Sequence, residues 1–226
     1  MKPYIVCHMM ASIDGRIDCE MTERIGGDEY YDALEQLKCD STLAGRVTMQ
    51  MHYALPEPFA PQDATPIGEL SIHKAIEGAS GYTIAIDTKG SLRWPSNMAD
   101  GLPLLVITSE QASKEYLETL RGQRISWIAV GKEHIDLAQA VDILHTHFGV
   151  KRQAIVGGGH INGAFLEAGL LDEVSVVVGA GIDGRAGMTA VFDGIADKAY
   201  PTTILRLEQV ERIGENSVWL RYSFPK

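Results

Sequence analysis

Cysteine is scarce. The chain has three in 226 residues, Cys7, Cys19 and Cys39, all among its first forty. An odd number without zinc-type spacing supports neither a disulfide framework nor a metal site. Long apolar runs are also missing. The N-terminal one, Tyr4 to Met10, gives way to turn residues at Asp14, too short for a membrane span or a signal peptide. Basic residues are in deficit, with 20 Lys+Arg against 30 Asp+Glu, a net charge of −10. That argues against nucleic-acid binding, which needs a surplus of cations. It leaves room for a small local site that takes one anionic ligand. These absences predict a cytoplasmic protein with reduced thiols, no metal, no membrane partner and no nucleic-acid partner.

What remains is an ordinary globular composition, 45% hydrophobic and 22% charged. No linker, composition shift or internal repeat divides the chain, so one domain over residues 1–226 is expected. The apolar run 4–10 reads as a buried strand. Residues 28–38 read as a helix with Asp28 as its N-cap and Tyr31, Leu34 and Leu37 on one face. Residues 41–44 read as a strand entering a glycine turn and a helix. Four prolines in 56–66 mark a loop. Strands at 82–86, 104–107, 125–130, 154–156 and 174–178 then alternate with helices at 113–120, 137–148 and from the glycine run to 168. Alternating apolar and polar runs at 202–210 and 218–224, joined by Gly214-Glu215-Asn216, read as an antiparallel hairpin. The class is α/β: a mixed, mostly parallel sheet with helices on both faces.

Four strand ends carry candidate chemistry. In Ala154-Ile155-Val156-Gly157-Gly158-Gly159-His160-Ile161, a buried strand meets three glycines and a helix start. Glycines let a ligand approach the main chain, and helix-start N–H groups favour an anion such as pyrophosphate. A tight turn without ligand is the competing reading. It is neither a Rossmann fingerprint nor a P-loop. Gly45-Arg46-Val47-Thr48 repeats the pattern, with a guanidinium and a hydroxyl for a phosphate; a solvated arginine at a helix start is the alternative. Thr108 and Ser109 follow a buried strand, where open α/β sheets collect ligands, although Ser109 also suits a helix cap. Ser12 and Asp14 lie in Ala11-Ser12-Ile13-Asp14-Gly15-Arg16; Asp14 either orients a substrate or makes a turn. Together the first three strand ends suggest an extended anionic cofactor such as a nicotinamide dinucleotide phosphate.

Those segments, with Gly157 through Glu173 as the most specific, resemble the C-terminal reductase domain of bifunctional riboflavin-biosynthesis enzymes, which has a dihydrofolate reductase-like three-layer fold. The resemblance covers essentially the whole chain. It implies NADPH-dependent reduction of a ribosylaminopyrimidine, such as 5-amino-6-(5-phosphoribosylamino)uracil, in a homodimer. It places Gly45, Arg46, Thr48, Gly157, Gly158, Gly159, His160 and Ile161 at the cofactor phosphates, and Thr108 and Ser109 near the 2′-phosphate. Substrate-side positions depart from the family pattern. His8 stands where a lysine is common, His52 where an acid is common, and Val156 where a glutamate often precedes the glycines. His8, Asp14 and His52 are thus the catalytic candidates, with Ser12, Asp14 and His8 toward substrate. A core role for His8 and simple exposure for His52 are the competing readings. A pterin or dihydrofolate-like substrate, or a non-catalytic NADPH-binding module, are the competing functions.

Overall fold

A computed structural model describes residues 1–225. Lys226, the last residue of the expected single domain, lies outside them. Along the chain the elements are β1 (Tyr4–Ala11), α1 (Cys19–Ile25), α2 (Glu29–Gln36), β2 (Ser41–Gly45), α3 (Arg46–His52), β3 (Ser71–His73), β4 (Thr83–Ile86), β5 (Met98–Ala99) and β6 (Leu102–Thr108). Then come α4 (Lys114–Gly122), β7 (Ser126–Ala129), α5 (Leu137–Thr146), β8 (Arg152–Gly157), α6 (Gly159–Glu167), β9 (Glu173–Val178), β10 (Arg206–Ile213) and β11 (Ser217–Ser223). Each strand and helix expected from the sequence is present within a few residues.

Local chemistry sets the boundaries. The Ser113 hydroxyl caps α4 by accepting from the Tyr116 N–H at 3.1 Å, and Asp136 caps α5 through the Gln139 N–H at 2.9 Å. Asp28 precedes α2 but makes no capping bond; its backbone is already helical. Of the apolar face expected for this segment, Leu37 is buried and Leu34 packs against the core, whereas Tyr31 is exposed and Ala33 is buried. Three elements were not expected. Helix α1 buries no residue, and β3 and β5 have three and two residues, too short for periodicity to register.

The described residues form two compact units, each discontinuous in sequence: residues 1–3 with 40–151, and residues 4–39 with 152–225. The first carries the strand order β2-β4-β6-β7-β3, with β5 beside β6. Its strands β2, β4, β6 and β7 run parallel, and β3 pairs antiparallel to β7. The second carries β10-β11-β9-β1-β8. There β8, β1 and β9 are parallel, and β11 and β10 form the expected antiparallel hairpin. Helix α2 covers one face of this second sheet, burying Ala33 and Leu37 with Val6, Met10, Val177 and Trp219. Leu166 of α6 and Val174 of β9 line one cavity on the opposite face.

Candidate active site

In the second unit, β8 delivers the chain into Gly158, whose φ of +94° lies where only glycine sits without strain. Helix α6 starts at the next residue. Its first intrahelical bond from beyond the cap runs from the Asn162 N–H to the Gly158 carbonyl at 3.0 Å. The N–H groups of Gly159, His160 and Ile161 precede it and have no acceptor within the helix. They suit an anion, as does the positive end of this nine-residue helix. No side-chain atom comes nearer than 3.7 Å to the place a Gly158 Cβ would fill. The turn therefore fits a phosphate group. Gly159 serves a different purpose: a Cβ there would overlap the Ala190 carbonyl oxygen. The chain's own loop makes that close approach, so the third glycine is explained without a ligand.

That loop is fixed at several points. The Asp193 N–H donates to the Gly159 carbonyl at 3.0 Å, and Asn162 Nδ2 donates to the Val191 carbonyl at 2.6 Å. On its other side it is bound to the turn after β1. The Ile13 N–H donates to Gly181, Val191 donates to Gly15, and the Arg16 guanidinium donates to Met188 at 2.5 Å. Asp14 completes the joint. Its carboxylate accepts from the Ser12 hydroxyl at 2.7 Å, the Asp183 N–H at 3.0 Å and the Gly184 N–H at 2.9 Å. These bonds, led by Ser12, hold its carboxyl well below the usual carboxylate range. Asp14 thus anchors the loop through these bonds. The buried Ser12 hydroxyl is occupied by Asp14 and by the Arg16 N–H at 3.0 Å, so it does not face a substrate. Sequence reading missed Asp183 and Arg185, which bridges Asp183 and Asp18. The Gly181-Ile182-Asp183-Gly184-Arg185 turn signal was the available clue.

His8 is corrected too. The ring is fully buried and stacked on Tyr30 at 4.6 Å between centroids. Both nitrogens are engaged, Nδ1 with the Ser175 hydroxyl at 2.9 Å and Nε2 with the Tyr30 carbonyl at 3.0 Å. A carbonyl only accepts, so Nε2 carries the hydrogen. Nδ1 then accepts from Ser175, whose oxygen accepts from Trp219 Nε1 at 2.8 Å. Burial pushes the ring pKa down to about 4, so it is neutral at pH 7. His8 is a core residue with no face for a substrate.

In the first unit, β2 ends at Gly45 and α3 begins with Arg46. Arg46 and His52 are exposed at opposite ends of α3, and Thr48 is half-buried between them. Arg46 makes no ion pair among the described residues and is available to an anion. Thr108 and Ser109 are not. Both are fully buried, and both hydroxyls donate to the Thr88 carbonyl, at 3.2 and 2.7 Å. Their placement at the 2′-phosphate is corrected: they tie the end of β6 to the turn after β4. That turn is organised by Asp87, which the sequence reading missed. Its buried carboxylate accepts from the N–H groups of Ser91 and Leu92 at 2.6 and 2.7 Å.

In each unit, parallel strands that lead into helix starts mark an α/β protein, a class that commonly takes ligands at the carboxyl ends of its strands. A family model described as the RibD C-terminal domain matches residues 3–219, and the chain belongs to that family. It is similar to the 2,5-diamino-6-ribosylamino-4(3H)-pyrimidinone 5′-phosphate reductase of Methanothermobacter thermautotrophicus, 24% identical over 225 residues, 96% of this chain and 97% of that one. The protein of the same name in Archaeoglobus fulgidus is 25% identical over 221 residues, 95% of each. Among solved structures, a pyrimidine reductase-like protein from Corynebacterium diphtheriae aligns with TM-score 0.74 and 18% identity, over 99% of this chain and 92% of that one. The riboflavin biosynthesis reductase Rib7 of Saccharomyces cerevisiae aligns with TM-score 0.60 and 16% identity, over 99% and 90%. These likenesses establish the fold. The family bears out the resemblance read from the sequence: a riboflavin-pathway oxidoreductase that uses a pyridine nucleotide on a small-molecule substrate. Among the described residues no helix is long and apolar enough to cross a membrane.

Proposed function

We propose that this chain reduces a ribosylaminopyrimidine 5′-phosphate, either 2,5-diamino-6-ribosylamino-4(3H)-pyrimidinone 5′-phosphate or 5-amino-6-(5-phosphoribosylamino)uracil, with NADPH as the donor. The observation that carries this reading is the open turn at Gly158, with three N–H groups and a positive helix end presented to an anion. The N–H groups of Gly159, His160 and Ile161 hold the pyrophosphate. Gly157 and Gly158 keep side-chain bulk away from it. Gly45 frees the start of α3, where Arg46 meets the 2′-phosphate and Thr48 offers a hydroxyl. A charge-assisted bond of this type contributes about 1.5–3 kcal/mol, enough to favour NADPH over NADH by one to two orders of magnitude.

When bound, the nicotinamide cofactor would supply the hydride for the sugar carbon of an opened imine, which leaves the protein one proton to deliver to the amine. Of the two histidines among the catalytic candidates, His8 is sealed in the core. His52 is exposed at the end of α3, and an imidazole can pass a proton to a substrate. We assign the proton to His52. Asp14 acts one step back, holding the loop that seats on Gly159. We further place the protein in the cytoplasm as a homodimer.

The test is to mix the protein with NADPH and follow its fluorescence, then add each pyrimidine substrate and, separately, dihydrofolate. Binding followed by oxidation with a pyrimidine supports the proposal. Oxidation with the pterin alone replaces the substrate class. Binding without turnover on any substrate marks a non-catalytic module.

A further inference from the structure

In the second unit, a cavity of about 280 Å³ lies between α6, β9 and the stretch that leads into β10. Leu166, Val174, Leu205 and the rings of Phe192 and Phe224 form its body. Val174 is buried, but the other four are large apolar side chains left half-buried around one shared space. Tyr200 also lines it, and its hydroxyl donates to the Leu166 carbonyl at 3.3 Å, which ties the ring to α6. Thr202 and Thr203 supply its polar part. Both are exposed, and neither hydroxyl has a partner among the described residues. No charged side chain among the described residues lines the space.

The cavity is separate from the anion turn. Strands β8 and β9 run in the same direction beside β1. Val174 is near the amino end of β9, whereas Gly158 follows the carboxyl end of β8. Along α6, Leu166 stands about 10 Å from Gly159 at the rise of an α-helix. The chemistry differs as well. The turn offers N–H groups and a positive helix end, and the cavity offers hydrocarbon, aromatic rings and two hydroxyls.

The lining selects the occupant. Apolar walls around an open space forfeit dispersion contacts that a fitting molecule restores. The volume falls just below the roughly 300–1,000 Å³ usual for small-molecule sites, which suits a body of about two fused rings. The rings of Phe192, Tyr200 and Phe224 favour a planar aromatic body through offset or edge contacts. With no charge in the lining, an ion would be buried unpaired at a cost that a neutral molecule does not meet. The Thr202 and Thr203 hydroxyls can donate to an acceptor on the edge of such a molecule. We propose that this cavity is a second ligand site, which takes a neutral, planar bicyclic aromatic molecule with a carbonyl acceptor on its edge. The site stands on its own lining and does not depend on the nucleotide or substrate reading.

The experiment is calorimetric titration of the full chain with 2-acetylnaphthalene, a neutral bicyclic ketone, and with 2-naphthoate, an anion of nearly the same shape. The ketone is expected to bind saturably, one per chain, with and without excess NADPH. The carboxylate should bind about tenfold more weakly or worse, because its charge finds no partner. Thr203→Trp, at an exposed position, puts an indole into the space and should weaken the ketone about tenfold with unchanged circular dichroism. Exchanging Thr202 and Thr203 together for Val keeps the shape, removes both hydroxyls and should cost about fivefold. Absence of saturable binding overturns the inference. So does displacement of the ketone by NADPH, equal affinity for the carboxylate, or an affinity that neither Thr203→Trp nor the double exchange lowers.

Discussion

His8 Nδ1 lies 2.9 Å from the Ser175 hydroxyl, which in turn accepts from Trp219. This joins β1, β9 and β11 through one buried polar chain. Replacing His8 by Leu leaves the Ser175 hydroxyl and the Tyr30 carbonyl short of partners. The expected cost is about 2–4 kcal/mol in urea denaturation, with turnover per folded molecule retained.

The same ring gives stability a pH dependence. Its pKa is about 4 in the fold, against 6.5 for an ordinary histidine. As pH falls, the unfolded chain takes up the proton first. The contribution is therefore complete above pH 6.5 and is lost progressively toward pH 4. It amounts to on the order of 3 kcal/mol. Denaturation midpoints measured across that window should fall for the wild type and lose this component in His8→Leu.

Asp14 holds Asp183 and Gly184. Asp14→Ala should release the loop that packs on Gly159. Trypsin cleavage after Arg185 should quicken several-fold, and turnover should fall about tenfold through lost positioning. Asp14→Ser, which keeps a short acceptor, should recover part of both. Unchanged cleavage would show that the loop is held elsewhere.

Arg46 and the Thr108–Ser109 pair should separate cleanly. Arg46→Ala is expected to weaken NADPH about tenfold or more and NADH little. Thr108→Val and Ser109→Ala should leave nucleotide affinity within about twofold while costing about 1 kcal/mol each in stability. Fluorescence titration with both nucleotides reads the difference.

Gly158 and Gly159 should also fail differently. Gly158→Ala forces a side chain to φ +94° at about 1–3 kcal/mol and crowds the open turn, so nucleotide affinity falls with stability. Gly159→Ala meets the Ala190 carbonyl, so the protein should lose stability first. Thermal melts with and without NADPH distinguish the two.

The sequence made the strands and the hairpin legible because buried runs such as 4–10 and 174–178 carry their own signal. It did not reveal α1, which buries nothing, nor which tyrosine of the Tyr30-Tyr31 pair faces inward. It singled out Gly158 and Arg46, whose backbone settings, a turn and a helix start, are local to the sequence. It misplaced His8, Ser12, Thr108 and Ser109, because polar side chains at strand ends look alike whether they face a ligand or a neighbouring loop. Their partners, Ser175, Asp14 and the Thr88 carbonyl, are brought to them by packing that no spacing rule encodes. Asp87 and Asp183 escaped for the same reason: each looks like an ordinary turn residue until the N–H groups it binds are in place.

The central claim is that this chain transfers a hydride from NADPH to a ribosylaminopyrimidine 5′-phosphate. Its most direct measurement is the loss of reduced-nicotinamide absorbance when that substrate is added to protein and NADPH. The account predicts oxidation matched one to one by the open-chain ribityl product. Bound NADPH that stays reduced with both candidate pyrimidine phosphates would contradict it.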